Sequence, residues 1–193
     1  MVTAGLLLAA GAGRRLGMPK ALLPYRGRLL VDHAAAILTA AGCQPVMVVL
    51  GAQADQVRSR TRLPGVVVLN DDWATGLGSS LRAGLSALTA SPAVAVVVTL
   101  VDMPGLTPEA VRRVARDATA DSLAVATYAD GRRGHPVLLG RRHWAGASEA
   151  ATGDRGARDY LRARDDEVRL VPCADVADGT DVDLPEQAAR LPG

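Results

Sequence analysis

The stretch LAAGAGRRLGMPK, residues 8–20, follows directly on an apolar run and combines groups that bind phosphate. Its three glycines can expose successive backbone N–H groups to an anion. Its three cationic side chains add positive charge, which suits a triphosphate better than a pyrophosphate bridge. The glycines are Gly11, Gly13 and Gly17, and the cationic residues are Arg14, Arg15 and Lys20. The alternative interpretation is a basic loop that only faces solvent.

Two well-known phosphate-binding loops fit this stretch poorly. A dinucleotide-binding loop needs the order G-x-G-x-x-G directly before a helix, but here the third glycine comes one residue too late. Pro19 lies where that helix should be under way, and proline has no N–H to donate there. The acidic residue expected after the second strand is missing, because that strand ends at Leu50-Gly51. A Walker A loop needs Ser or Thr after its lysine, and Ala21 follows Lys20.

The elements around this stretch alternate between strands and helices. Strands are predicted over residues 2–10, 45–51, 65–71 and 93–102, and helices over 30–41, 54–62 and 79–88 and from Thr107 onward. Continuous apolar strands between helices indicate a mostly parallel sheet that is covered on both faces. Ligands bind at the carboxyl ends of the strands in such sheets, so the loop after the first strand is well placed. We expect this loop to stay extended from Gly11 to about Arg28, a length that is typical of functional loops.

The pattern changes after residue 120. Residues 122–139 predict two strands around a turn at Asp130-Gly131, so part of the sheet should be antiparallel. The remaining predicted elements are a helix at 154–164, a strand at 167–172 and a short helix after Pro185. No linker, repeat or low-complexity segment interrupts the chain, and we expect one domain over residues 1–193. The predicted fold class is α/β, a three-layer αβα arrangement with a Rossmann-like, mostly parallel mixed sheet.

Composition limits the classes of function. The chain has 193 residues, 49% of them hydrophobic, and a formal net charge of +2, which is too small to argue for nucleic acid. Aromatic residues make up 3% and Phe is absent, so a site that stacks a base between several rings is not expected. Cys43 and Cys173 have no metal-type spacing and should be free, buried thiols in a reducing compartment. We find no signal peptide and no membrane-spanning run, and we expect a cytoplasmic protein.

The segment LLLAAGAGRRLGMPKALLPYRGRLL resembles the signature of nucleotidyltransferases that act on nucleoside triphosphates and have a sheet of the nucleotide-diphospho-sugar transferase type. Within that superfamily the chain is most similar to the molybdenum cofactor cytidylyltransferase group. Five further segments match this group in the same order, and the resemblance covers nearly the whole chain. They are WATGLGSSLRAGL (73–85), LVDMPGLTPEAV (100–111), GHPVLL (134–139), GDRGARDYL (153–161) and DVDLPEQ (181–187).

The resemblance implies a nucleotide site with a bound Mg²⁺. The residues that would face the base are Leu8, Ala9, Ala10 and Gly11, and those that would hold the triphosphate are Gly13, Arg14 and Lys20. The residues that would lie beside the nucleotide are Gly78, Ser79 and Ser80, and the metal ligands would be Asp102 and Asp183. Catalytic roles fall to Arg14, Lys20 and Asp102.

The physical chemistry of the two aspartates agrees with this assignment. Asp102 follows the most hydrophobic strand, where an unpaired carboxylate is costly, and Mg²⁺ prefers one or two carboxylates together with phosphate oxygens. Asp102 could instead cap a turn before Met103-Pro104. Asp183 lies in an acidic loop that could simply face water.

Other polar and aromatic residues have structural alternatives to a role in the site. At least one of Ser79 and Ser80 is expected to cap the following helix, which still leaves N–H groups for an anion. The three histidines are predicted to be structural, and the two tryptophans are predicted to pack, although a flat acceptor such as a pterin could contact them. These residues are His33, His135, His143, Trp73 and Trp144.

The implied reaction is attack of an acceptor phosphate on the α-phosphorus of a nucleotide, with release of pyrophosphate. A phosphate monoester is largely ionised near neutrality and needs no general base. The resemblance favours CTP, because Ala9-Ala10-Gly11 is similar to cytidylyltransferases, and leaves GTP and ATP open. Molybdopterin is the implied acceptor, and a molybdoenzyme or its chaperone would receive the product. The alternatives are a sugar phosphate or phospholactate acceptor, a non-catalytic accessory protein that binds a nucleotide, and an NAD-dependent oxidoreductase.

Overall fold

A computed structural model describes residues 2–192, apart from the side chain of Asp130. The strands are β1 (Thr3–Leu8), β2 (Pro24–Tyr25), β3 (Arg28–Leu29), β4 (Val46–Leu50), β5 (Val66–Leu69), β6 (Ala95–Leu100), β7 (Leu123–Thr127), β8 (Arg133–Gly140) and β9 (Val168–Pro172). The α-helices are α1 (Leu30–Ala40), α2 (Ala54–Arg60), α3 (Leu77–Leu88), α4 (Pro108–Ala115), α5 (Trp144–Ala150), α6 (Arg158–Arg162) and α7 (Pro185–Ala188). All the predicted strands and helices are present, with ends that differ by a few residues.

Seven strands form one mixed sheet in the order β5-β4-β1-β6-β8-β7-β9. The first four are mutually parallel, β8 is antiparallel to both of its neighbours, and β9 is parallel to β7. Sequential strands β1, β4 and β5 are joined through helices, as parallel pairing requires. The predicted mostly parallel mixed sheet is therefore confirmed, and the predicted hairpin around residues 130–131 supplies one of its two antiparallel pairs, β7–β8.

Apolar side chains fill two layers, one on each face of the sheet. Alternate residues of β1 point to opposite faces, so Leu7 lies in one cluster while Leu6 and Leu8 lie in the other. Helices α1 and α4 cover the first cluster, and α3 and α5 cover the second. This arrangement is the predicted three-layer αβα architecture. Both cysteines are buried and free.

Three local predictions were wrong. The connection after β1 is not extended, because it folds into a turn, a 3₁₀ helix at Lys20–Leu22 and the small β2–β3 sheet before α1 begins. Helix α3 begins two residues earlier than predicted, with Gly76 as its N-cap residue and no serine capping it. The helix predicted at 154–164 is divided into a 3₁₀ turn at Gly153–Arg155 and α6. Thr107 does cap α4 as predicted, since its Oγ1 accepts a hydrogen bond from Ala110 N at 3.2 Å.

Candidate active site

A cleft of about 400 Å³ opens at the carboxyl ends of β1 and β6. The loop after β1 and the segment that leads into α3 both line it. The lining residues are Leu8, Ala10, Gly11, Ala12, Gly13, Arg14, Arg15, Lys20, Trp73, Ala74, Gly76, Leu77, Ser80, Leu100, Val101, Asp102, Asp154 and Asp183. The position is where an open α/β sheet binds its ligands.

The loop after β1 is held in a compact turn by Gly13. This glycine has φ +61°, and a Cβ there would lie 1.9 Å from the carbonyl oxygen of Met18. Its own carbonyl accepts hydrogen bonds from the N–H groups of Leu16 and Gly17, both at 2.9 Å. The turn leaves Arg14 and Arg15 exposed at the rim of the cleft. A side chain at position 13 would therefore break the loop that presents the two arginines.

Lys20 lies at the centre of the polar end of the cleft. Its ammonium group donates a hydrogen bond to Asp102 Oδ2 at 2.7 Å and also contacts Asp183 Oδ1. Arg15 approaches the other oxygen of Asp183 at 4.0 Å. The Lys20 and Asp102 side chains are 16% and 14% exposed, so this ion pair is shielded from water far more than a surface pair. Three residues that are distant in the sequence thus form one charged cluster.

Asp181–Asp183 reach the cleft because the chain returns to Asp102 after β9. The N–H of Val182 donates to the backbone carbonyl of Asp102 at 2.9 Å, and the Val182 side chain is buried. Gln187 Oε1 accepts hydrogen bonds from the N–H groups of Asp183 and Leu184, both at 2.8 Å. Because residues two apart in an extended segment point the same way, both aspartates face Asp102. One oxygen from each of the three carboxylates lies within 4.8 Å of the others.

This carboxylate cluster fits a hard divalent cation. Asp102 Oδ1 is buried and has no hydrogen-bond partner among the described residues, a costly arrangement that a cation would relieve. Asp181 was not among the sequence-predicted ligands. The signal that could have indicated it is the D-V-D spacing, in which the buried Val182 orients its two neighbours.

The cluster shifts the pKa values of its members through burial and ion pairing. Burial raises the pKa of Asp102 above its ordinary range, and the neighbouring ammonium of Lys20 opposes that shift. Burial lowers the pKa of Lys20, but the charges of Asp102 and Asp183 outweigh it and the net pKa is raised. Lys20 is therefore cationic at neutral pH and available to bind phosphate oxygens.

The two serines of α3 belong to a buried hydrogen-bond network. The amide of Asn70 donates to Ser79 Oγ at 2.9 Å and to Ser80 Oγ at 3.0 Å. Ser79 Oγ in turn donates towards the carbonyls of Asp72 and Gly76, at 3.0 and 2.9 Å. The Ser79 hydroxyl is thus used in fixing the loop before α3, and Ser80 is the serine that lines the cleft.

Most of the sequence-predicted site residues meet in this cleft. Those that line it are Leu8, Ala10, Gly11, Gly13, Arg14, Lys20, Ser80, Asp102 and Asp183. Those that lie outside the lining are Ala9, Gly78 and Ser79, all of them buried. Asp154 and Trp73 line the cleft without having been predicted as ligand-binding residues.

The three histidines lie outside the cleft lining, and the two tryptophans lie in different environments. His143 is buried, and its ring forms a hydrogen bond with the Tyr160 hydroxyl at 2.9 Å. Trp144 is buried, and its indole N–H donates to the Leu139 carbonyl at 2.9 Å, which is a packing role. Trp73 instead exposes part of its ring to the cleft.

Residues 5–168 match the model of the MobA-like NTP transferase domain. The chain belongs to this family. It is therefore a nucleotidyltransferase of the MobA-like family, as its sequence resemblance implied, and its mixed sheet is the fold of that family.

The chain is similar to two curated relatives whose names describe different activities. The chain is 43% identical to nicotine blue oxidoreductase of Paenarthrobacter nicotinovorans, over 97% of this chain and 95% of that protein. It is 33% identical to the molybdenum cofactor guanylyltransferase of Rhodobacter capsulatus, over 76% of this chain and 68% of that protein. The MobA-like family thus includes relatives of this chain with two kinds of named activity.

A solved structure is similar along the whole MobA-like chain. Rv0371c from Mycobacterium tuberculosis H37Rv superposes with a TM-score of 0.85 at 31% identity, covering 98% of this chain and 96% of that one. The same protein has also been solved in complex with manganese, with a TM-score of 0.81 at 29% identity, covering 99% and 98% of the two chains. Within residues 2–192, no helix is long and apolar enough to cross a membrane.

Proposed function

We propose that this protein transfers a nucleoside monophosphate from CTP to the phosphate of a small acceptor, molybdopterin, and releases pyrophosphate. The observation that carries the proposal is the cluster of Lys20, Asp102 and Asp183 at the end of a glycine-rich basic loop. A nucleotidyl transfer needs its reactants positioned and their negative charges neutralised, and little else from the protein. These residues can supply both.

The triphosphate would lie along the loop after β1. Arg14 and Lys20 would contact the β- and γ-phosphates and stabilise the negative charge of the departing pyrophosphate. The acceptor phosphate oxygen forms the new bond to the α-phosphorus as the bond to the β-phosphate oxygen breaks. The acceptor oxygen is already ionised near neutrality, so no residue has to remove a proton from it.

The three carboxylates would hold the divalent cation that this chemistry uses. Asp102 and Asp183 were expected as ligands, and Asp181 completes the set. Bound there, Mg²⁺ would neutralise charge on the reacting phosphates. The manganese complex of the similar Rv0371c supports a divalent ion in this fold.

The choice of CTP rests on the base side of the cleft. Ala10 is buried to 4% exposure and lines the cleft, so its methyl group reduces the room for a purine. The guanylyltransferase of R. capsulatus makes GTP the second candidate. We expect Ala10→Gly to raise the activity with GTP relative to CTP. An unchanged preference would remove the methyl group from the explanation.

The decisive assay is pyrophosphate release in the presence of Mg²⁺. CTP, GTP, ATP and UTP are each paired with molybdopterin, a hexose 1-phosphate and phospholactate. The proposal requires release with CTP and molybdopterin above every other pair. Pyrophosphate release with another acceptor would support nucleotidyl transfer to a different substrate. Nucleotide binding without any pyrophosphate release would favour a nucleotide-binding accessory protein.

The second candidate is the NAD-dependent oxidoreductase that the sequence left as an alternative, with nicotine blue as its substrate. It is favoured by the 43% identity to nicotine blue oxidoreductase over nearly both whole chains. The partly exposed Trp73 ring in the cleft would suit a flat dye. Oxidation of NADH or NADPH, followed by absorbance with nicotine blue as the electron acceptor, tests it directly. Dye-dependent oxidation without any pyrophosphate release would establish this candidate and refute the first.

A further inference from the structure

Asp154 lines the cleft but is not a member of the charged cluster. It belongs to the segment GDRGAR and lines the cleft together with Trp73 and Leu77. Its neighbour Arg155 is paired with Asp159 at 2.8 Å. Within residues 2–192, no cation lies within 4.0 Å of the Asp154 carboxylate. The cleft therefore has, besides the charged cluster, a carboxylate that forms no ion pair among the described residues.

The segment that carries Asp154 packs closely against the start of α3. Gly76 has φ +111°, and a Cβ there would lie 2.5 Å from the backbone of Gly153 and 2.7 Å from Asp154 Oδ1. Arg82 of α3 donates a hydrogen bond to the carbonyl of Ala151, which anchors the same segment. The backbone beside Asp154 is thus anchored to α3, while the Asp154 side chain is exposed to solvent.

The charges of the cleft orient any phosphate-bearing ligand. Phosphate oxygens are attracted to Arg14 and Lys20 and repelled by Asp154, so the end of the ligand that carries no phosphate must face Asp154. The neighbouring Trp73 ring and Leu77 side chain suit a flat apolar surface. A carboxylate accepts two parallel hydrogen bonds best from two adjacent N–H groups in one plane.

We propose that Asp154 is a specificity-determining residue that accepts hydrogen bonds from the adjacent ring N–H and amino group of a 2-amino-4-oxo heterocycle. This edge occurs in pterins, and guanine carries the same edge. The inference rests on the proposed function for the reaction in which the ligand takes part. With CTP as the nucleotide, the pterin of the acceptor is the expected source of the edge. Cytosine lacks the ring N–H and should not engage Asp154 in this way.

Binding measurements separate the two sources. Isothermal titration calorimetry compares wild type with Asp154→Asn for four ligands, namely a pterin monophosphate, GTP, ITP and CTP. ITP retains the ring N–H of guanine but lacks its amino group. Asp166→Asn is the matched control, because Asp166 is exposed, lies outside the cleft lining and gives the same change of net charge.

The expected result is a loss of affinity of about 10- to 100-fold for the ligand with the matching edge, because Asn presents an N–H donor to the ligand's donors. A loss confined to the pterin assigns the residue to the acceptor. If GTP loses affinity, ITP loses less, and the pterin and CTP lose none, the residue contacts the nucleotide. Three results would overturn the proposal. The affinities of wild type and Asp154→Asn could be equal, the variant could lose the same affinity for every ligand, CTP included, or wild type could bind neither the pterin nor GTP. Binding with no pyrophosphate release would leave this inference standing while the transferase function failed.

Discussion

The two halves of the seven-stranded sheet contribute to the cleft in different ways. In the four-stranded parallel half, β1 and β6 are neighbours that end at the same edge, so the loops after them meet directly. In the other half, β8 runs in the opposite direction, and the chain reaches the cleft at Asp154, between β8 and β9, and again after β9, through residues 173–183. Along this path Asp178 N–H donates to Gly105 O at 3.1 Å and Val182 N–H to Asp102 O at 2.9 Å. In the parallel half, the order and direction of the strands bring the site residues together. In the other half, backbone hydrogen bonds hold the returning segment at the cleft.

The comparison predicts the largest loss of turnover for a residue of the parallel half. Asp102→Asn removes the charge of the most buried carboxylate in the cluster. We expect metal-dependent pyrophosphate release to fall by about 10³-fold, the upper range for losing one electrostatic contact in a transition state. Saturating MgCl₂ should not restore it. Undiminished turnover would refute the role of Asp102 in holding the metal.

Lys20→Ala is expected to be next, with a loss of about 10²-fold in turnover. Its ammonium group lies 2.7 Å from Asp102 Oδ2, and in the proposed reaction it contacts the leaving pyrophosphate. Arg142→Ala is the control, because Arg142 pairs with Asp121 on the surface and lies outside the cleft lining. Turnover of Lys20→Ala that matches the Arg142 control would remove Lys20 from the mechanism.

Residues of the returning segment should act mainly on the metal. We expect Asp181→Asn and Asp183→Asn each to raise the Mg²⁺ concentration for half-maximal activity about 10-fold, with a smaller effect on turnover at saturating metal. Asp175→Asn serves as the control on the same segment, because Asp175 pairs with Arg113 at 2.7 Å outside the cluster. If Asp181→Asn behaves like Asp175→Asn, only Asp102 and Asp183 bind the metal.

Removal of either of two tyrosine hydroxyls tests whether a hydrogen bond near the site affects turnover more than a comparable hydrogen bond elsewhere. The Tyr25 hydroxyl donates to the carbonyl of Pro104, two residues after Asp102, at 3.2 Å. The Tyr160 hydroxyl bonds His143 at 2.9 Å in the other half of the molecule. Each loss should lower the free energy of unfolding by about 1 kcal/mol. Only Tyr25→Phe should also lower turnover, by a few-fold, and equal turnover of the two variants would contradict this.

His135 in β8 should affect stability in acid and leave turnover at neutral pH unchanged. Burial, assisted by Arg158, lowers the pKa of His135 to about 4 from an ordinary value of 6.5. Between these values the unfolded chain binds a proton that the folded protein does not, so stability falls as the pH is lowered from 6.5 to 4. Urea unfolding across this range should show a smaller loss for His135→Gln. A parallel loss in both proteins would mean that other groups cause the acid sensitivity.

Local signals predicted the fold more completely than the site. Apolar runs such as residues 95–100 identify buried strands because both faces of a parallel strand must be covered. Thr107 and Pro108 identify the start of α4 because each satisfies a local requirement of a helix N-terminus. The prediction that a serine caps α3 was wrong, because the amide of Asn70, nine and ten residues earlier, donates hydrogen bonds to the hydroxyls of Ser79 and Ser80.

The sequence by itself determined the order of the main strands and helices, and it predicted a phosphate-binding loop at residues 11–20 and a metal ligand at Asp102. Each of these depends on residues that are neighbours in the chain, where periodicity and charge can be recognised directly. Only the tertiary structure decided that Asp181 joins Asp102 and Asp183, that Lys20 lies between carboxylates 82 and 163 residues away, and that Asp154 faces the cleft. These contacts depend on how the chain returns after β9 and how closely residues 151–155 approach α3, and such long-range packing has no local pattern in the sequence.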